Sequence, residues 1–229
     1  MINLYGFENT FIIGTWLTIK VTLVALLIGL VLGLLGAGAK LSRFSVLHYC
    51  ADAYTTIIRG VPELILILAV YFGSSALINN IAGSLGYDGY IDLNAFVAGV
   101  IALGFSFGAY ATDVFRGAIL AIPKGQIEAG RSFGMRRTLV FRRIMLPHVW
   151  RVALPALGNL FLILQKDSAL VSVIGLHEIM RSATIAVGYT KKPFTFYLLA
   201  AVIYLCLTIV TATGIQYMEK RFSRGVRRD

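Results

Sequence analysis

Acidic and hydroxyl side chains inside long apolar stretches are costly to bury in hydrocarbon, so they mark places where a polar cargo or partner is met. Two such sets occur in this chain. Ser106, Tyr110 and Asp113 recur at i, i+4 and i+7, which places them on one helix face, and Arg116 follows three residues after Asp113. Gln165-Lys166-Asp167-Ser168 interrupts another apolar stretch midway. Carboxylates can hold a cationic group, while hydroxyl and backbone donors can hold a carboxylate. Asp113 has two readings: a structural pair with Arg116 near one end of its helix, or a contact for a cationic cargo. Lys166 and Asp167 either pair with neighbouring helices or line a path. As adjacent residues they point to different sides of a helix and do not simply neutralise each other. Sites of transport lie where spanning helices break near mid-bilayer, so Asp167 and Ser168 are the foremost candidates for lining a path. Glu178 follows that stretch, either as an exposed loop charge or as the outer rim of the path.

The elements that must carry these residues are membrane spans. Of 229 residues 58% are hydrophobic and only 14% charged, whereas soluble domains are about 25% charged. A spanning helix takes about 20 mostly apolar residues. Five runs qualify: about Phe11 to Ala39, Tyr54 to Ile81, Leu93 to Ile122, Val152 to Leu176, and Phe194 to Tyr217. An isolated sheet would strand backbone groups in lipid, so the fold class is an all-α integral membrane protein. One domain over residues 1–229 is expected, with a core of about 11–217 and no room for an attached soluble catalytic domain. Residues 1–9 contain Glu8 and no Lys or Arg, unlike a cleavable signal peptide, so the first run is expected to stay as a span. Gly29 and Gly33 form a small-xxx-small pair in that run, for close intramolecular packing or for a dimerisation face.

Loop charge sets the orientation. The net charge is +10, from 21 Lys and Arg against 11 Asp and Glu. Lys40, Arg43 and Arg59 follow run one, a dense basic segment lies between runs three and four, and Lys220, Arg221, Arg224, Arg227 and Arg228 follow run five. The segment from Asn79 to Asp92 has no Lys or Arg and carries Asp88 and Asp92. The positive-inside bias then predicts a periplasmic N-terminus and a cytoplasmic C-terminus, and it explains the charge without nucleic acid. Arg59-Gly60-Val61-Pro62 opens run two, with Pro suited to a helix start and Arg59 free to snorkel to the headgroups.

The densest basic segment, Glu128 to Pro147, reads EAGRSFGMRRTLVFRRIMLP. Apolar Phe133, Met135, Leu139, Val140, Ile144 and Met145 alternate with five arginines. Gly134 sits between two short helical pieces, where it supplies a turn other residues resist, and Pro147 is expected to fix a bend before the next span. A helix presenting Ala129 and Gly130 has little bulk and suits a groove on a partner. The arginines alone would fit any cytoplasmic loop.

The spacing of Glu128, Ala129, Gly134, Ile144, Leu146 and Pro147 resembles E-A-(A/G)-x3-G-x9-I-x-L-P, the docking segment of the membrane subunits of ATP-binding-cassette importers. The third alanine of their usual signature is Gly130 here. Segments GAGAKLS (36–42), YTTIIRGVP (54–62), GAYATDVFRGAI (108–119), IPKGQIEA (122–129) and SALVSVIGL (168–176) are similar to the polar-amino-acid branch, within it the HisQ-type permeases of histidine/lysine/arginine/ornithine importers. The resemblance covers nearly the whole chain. It implies a type I ABC importer transmembrane fold in the bacterial inner membrane. It also implies a second, homologous membrane subunit in a heterodimer, two ATP-binding subunits and a periplasmic amino-acid-binding protein. ATP and Mg would sit on the partner ATPases and no cofactor on this chain. Glu128, Ala129, Gly130, Arg131 and Gly134, within a loop of about 123–150, would couple to the ATPase. Cationic amino acids are the substrate class it implies, and acidic residues in the spans are consistent with them.

No catalytic constellation is visible. There is no G-x-x-x-x-G-K-(S/T), H-E-x-x-H or nucleophile elbow. His48, His148 and His177 share no metal-ligand spacing, and Cys50 and Cys206 make neither a disulfide framework nor a metal site. The rival to an ATP-driven permease is an ion- or proton-driven carrier acting alone, against which the docking spacing argues.

Overall fold

A computed structural model of the chain describes residues 6–85, 89, 91 and 93–222. Asp88, Asp92, Arg224, Arg227 and Arg228, used above for orientation, lie outside the described residues. All regular structure among those described is helical. In chain order come α1 (Glu8–Lys40), α2 (Ser45–Gly60), α3 (Glu63–Ser84), α4 (Ala95–Leu120) and α5 (Lys124–Ser132). Then follow α6 (Arg137–Val140), a π turn (Phe141–Met145), α7 (Leu146–Asp167), a 3-10 segment (Ser168–Ile174), α8 (Ile179–Thr190) and α9 (Pro193–Phe222). Five segments are long and apolar enough to cross a membrane: Glu8–Lys40, Glu63–Ser84, Ala95–Leu120, Arg137–Ile174 and Pro193–Phe222.

The core forms around α4, the most enclosed span, because its sequence is built from small residues. Ala98, Ala102, Ala109, Ala111 and Ala118 are almost fully buried. α1 runs parallel to it at backbone contact. A Cβ added at Gly29 would lie 2.6 Å from Phe107 Cδ1, and one at Gly33 2.6 Å from Ala111 Cβ. The Gly29–Gly33 pair is therefore consumed by intramolecular packing, and the alternative of a dimerisation face is overturned. Small residues serve here because lipid offers no hydrophobic drive for helix association, leaving close van der Waals contact to do it. Gly33→Ala is expected to cost about 1–3 kcal/mol, the usual range for overpacking. Gly38→Ala, where a Cβ meets nothing within 4 Å, should leave the melting temperature of the purified protein unchanged or higher.

The second run divides. Tyr54 to Gly60 belong to α2, a separate amphipathic helix, and the span starts at Glu63. Pro62 causes this: it disfavours helical backbone at the preceding residue, and Val61 is extended (φ −107°, ψ 133°). The fourth run starts earlier than its apolar composition indicates. Helix is continuous from Arg137, and Pro147 is absorbed without a break by the π turn, in which the Leu146 N–H donates to the Phe141 carbonyl. A regular α turn would press the proline ring against the carbonyl four residues earlier. The interruption at Gln165–Ser168 is a change of winding: α7 ends at Asp167, a 3-10 segment continues, and Gly175 stops it in the left-handed region (φ 92°).

The segment after run four is no simple loop. α8 buries Ile179, Ala183 and Ala186 in a cluster with Phe11 of α1 and Phe196 and Ala200 of α9. Glu178 caps it.

Candidate functional site

Helix geometry sets the polar residues of α4 in a row, and the neighbouring helices divide them between two cavities. In the first, of about 150 Å³, Ser106 and Tyr110 meet Asp167 at the end of α7 and Glu63 in the first turn of α3. Leu103, Phe107, Leu160, Ile163 and Leu164 complete its walls. At about 30 Å³ per water this has the size of a side chain. Among the described residues no cation lies within ion-pair distance of Asp167 or Glu63. Two carboxylates, a hydroxyl and a phenol thus converge on an otherwise apolar cavity with no cation in direct contact among the described residues. Its dimensions and donor types are compatible with a cationic side chain, since a nearby opposite charge favours the ionised form of a carboxylate.

Asp113 lies one turn further along α4 and belongs to the second cavity, of about 360 Å³, with Arg59, Lys40, Thr55, Thr56 and Tyr110. Its partner is not Arg116, which is exposed. Lys40 Nζ donates to Asp113 Oδ1 at 3.0 Å, and the Arg59 guanidinium bonds Oδ2. Lys40 also pairs with Asp52 Oδ1 at 3.0 Å, and His48 Nε2 lies 3.0 Å from Oδ2. The hydrogen bond from Lys40 holds the Asp52 carboxyl below its ordinary range. The structural reading of Asp113 is thus the right class with the wrong partner, because the tight α1–α4 contact brings Lys40 across.

Ser168 and Glu178 do not line either cavity. The Ser168 hydroxyl is buried and donates to the Gln165 carbonyl at 2.7 Å, within its own turn. Glu178 is fully buried, which corrects the expectation of an exposed charge. Its Oε1 accepts the Arg181 N–H at 2.7 Å as the cap of α8, and Oε2 accepts the Tyr204 hydroxyl at 2.7 Å. Burial pushes its carboxyl above the ordinary value. Glu178→Ala leaves these donors without an acceptor and is expected to lower stability by about 1–3 kcal/mol, read as a fall in melting temperature in detergent.

The docking segment has its own internal logic. α5 ends in a Schellman motif: Met135 N–H donates to the Gly130 carbonyl at 3.1 Å, and Gly134 N–H to the Arg131 carbonyl at 2.9 Å. The motif requires Gly134 at φ 75°, the left-handed region that side chains resist. Glu128, Ala129 and Arg131 are exposed along α5. Gly130 is not presented outward, contrary to expectation. It is buried, and a Cβ there would meet Ile144 Cδ1 at 2.6 Å, so its smallness lets α5 lie on the π turn. Phe133 is 86% exposed at the tip beside a groove of about 470 Å³ that includes Ala129, Met135, Ile144 and Arg151. In the sequence Phe133 is one apolar position of an amphipathic segment, and Glu63 stands outside the polar sets found within the apolar runs. An acidic residue directly after the helix-starting proline was the available signal.

Comparison with known proteins identifies the family of the chain. Residues 25–224 match the family model described as binding-protein-dependent transport system inner membrane component. The chain is 49% identical over 215 residues to the nopaline transport system permease protein NocQ of Agrobacterium fabrum, covering 93% of this chain and 91% of that one. It is 41% identical over 225 residues to the histidine/lysine/arginine/ornithine transport system permease protein HisQ of Escherichia coli, covering 98% of each. A crystal structure of an amino acid ABC transporter with histidines superposes with a TM-score of 0.80 at 33% identity, over 96% of this chain and 99% of that one.

Proposed function

Since the chain belongs to the family of binding-protein-dependent transport system inner membrane components, permease subunits of ATP-binding-cassette importers, we infer that its cavity between α3, α4 and α7 selects a cationic amino acid. The observation that carries this is the convergence on Ser106 and Tyr110 of Glu63 and Asp167, neither paired with a cation among the described residues. The carboxylates would take the cationic side chain while the hydroxyl and phenol orient it. Asp113, bound to Lys40 and Arg59, would act next to this cavity and not within it. The names of NocQ and HisQ, which refer to nopaline and to histidine, lysine, arginine and ornithine, support a basic amino acid or a derivative of one.

In this reading the basic end of the bundle faces the cytoplasm, as loop charge requires. α5 enters a groove on a partner ATPase with Glu128, Ala129, Arg131 and Phe133 as its contact face, and Gly134 keeps the following turn. Two ATP-binding subunits hold ATP and Mg, this chain holds no nucleotide, and a second homologous membrane subunit and a periplasmic binding protein complete the importer. ATP binding on the partners moves α5, and α6 and the π turn pass that movement to α7, the helix that ends in Asp167. A competition assay tests the substrate class. Uptake of labelled arginine by the reconstituted complex should be blocked by unlabelled lysine, ornithine or histidine and spared by leucine or glutamate. Blocking by leucine would contradict a carboxylate-lined selection site.

A further inference from the structure

We propose that Asp113 and the ring of Tyr110 form a second cation site on the transport route, and that Arg59 occupies it in this conformation as a tethered stand-in for the substrate's cationic group. This rests on the cationic-substrate reading above.

The site has the composition that binds a guanidinium. The Arg59 guanidinium bonds Asp113 Oδ2 and its carbon lies 5.1 Å from the centre of the Tyr110 ring, a carboxylate with an aromatic face. Both interactions suit a planar, weakly hydrated cation. Arginine, within the substrate class proposed above, carries the same group. Lys40 Nζ, on Oδ1 at 3.0 Å, is the permanent structural partner: its side chain is only 8% exposed. Arg59 is different. Its side chain is 43% exposed and borders the cavity of about 360 Å³, so it can leave without unpacking the core.

Position makes the site part of a route. Tyr110 lines both this cavity and the one containing Asp167 and Glu63. From Ser106 to Asp113 along one face of α4 is about 10 Å at 1.5 Å per residue, so a side chain leaving the inner cavity reaches Asp113 by passing one aromatic ring. Arg59 belongs to the last turn of α2, immediately before the extended Val61–Pro62 elbow that leads into α3. Glu63, at the other side of that elbow, lines the inner cavity. Movement of the elbow therefore shifts an acidic group of the inner site and the cation of the outer site together. With Arg59 seated, a cationic substrate meets an occupied site. With Arg59 withdrawn, it meets the vacated Oδ2 of a carboxylate that Lys40 still holds at Oδ1.

The experiment is equilibrium binding of labelled arginine to the purified, nucleotide-free complex, counted per copy of this chain, with arginine transport measured in parallel. Arg59→Gln is expected to bind one more arginine than the unaltered complex, and Arg59→Gln combined with Asp113→Asn to lose that gain. Arg59→Met, which keeps an unbranched apolar stem without the charge, should behave as Arg59→Gln, and Arg59→Lys should show little gain. No gain in either neutral variant would overturn the proposal, as would a gain that persists with Asp113→Asn. Failure of both neutral variants to assemble would also overturn it, by showing Arg59 to be a fixed structural tie. An unaltered complex that transports no cationic amino acid refutes the substrate reading instead, a result separate from the count.

Discussion

Asp167→Asn is expected to reduce arginine uptake by roughly 10- to 100-fold while the protein still folds. The magnitude follows from the loss of a hydrogen bond to a charged group, about 1.5–3 kcal/mol, at 1.4 kcal/mol per factor of ten. Asparagine has the shape of aspartate, so the winding change at the end of α7 is preserved, and no ion pair among the described residues depends on Asp167. What changes is the charge offered to a cation in a cavity walled mainly by leucine. Glu63→Gln should act in the same direction. Because the two carboxylates share one ligand, the double variant should lose less than the product of the two single losses. Initial rates of uptake into proteoliposomes measure this. Unchanged rates in Asp167→Asn would remove it from the site.

Ala129→Phe is expected to lower binding-protein-stimulated ATP hydrolysis by a comparable factor, with the membrane fold intact. Ala129 is exposed on α5, so the added ring has space in the isolated chain. In the assembled importer it would enter a packed contact, where overfilling costs about 1–3 kcal/mol. Gly130 is the instructive neighbour. Substitution there would push on Ile144 and disturb the seat of α5 itself, so a defect would not separate docking from folding. A purified Ala129→Phe chain with unchanged melting temperature but full ATPase stimulation would show that α5 is not the contact.

Much of the fold was legible because hydrocarbon imposes few solutions. Five apolar runs became five spans, and Gly29 and Gly33 packed where small residues let helices touch. The sequence misled where one residue redirects the backbone. Pro62 divided run two and moved Tyr54 to Gly60 into α2, whereas Pro147, of the same type, follows a π turn and does not end the helix. α8 was missed because a short helix that bears Arg181 and is followed by Lys191 and Lys192 has the composition of a loop. Its burial depends on Gly14, where a Cβ would lie 2.6 Å from Ser182 Oγ, a contact 168 positions distant in the chain that no local pattern reveals.

The site was legible in part for the same reason. Spacing on one helix is local, so Ser106, Tyr110 and Asp113 were found together. Their division between two cavities depends on which helices face α4. Asp167 was recognisable as a charge inside a span. Its companion Glu63 was not, since it sits at a span's start, where acidic residues are ordinary helix-dipole partners. Glu178 was misjudged because the group that satisfies it, the Tyr204 hydroxyl, comes from α9.

The central claim is that this chain moves a cationic amino acid only when ATP hydrolysis on partner subunits acts through α5. Arginine uptake into proteoliposomes containing the chain and its partners, with binding protein outside, tests it most directly. The account predicts uptake that requires enclosed ATP and Mg, persists when ion gradients are collapsed, and is lost in Ala129→Phe. Uptake without ATP, driven by a proton or sodium gradient in liposomes lacking the ATPase subunits, would contradict it.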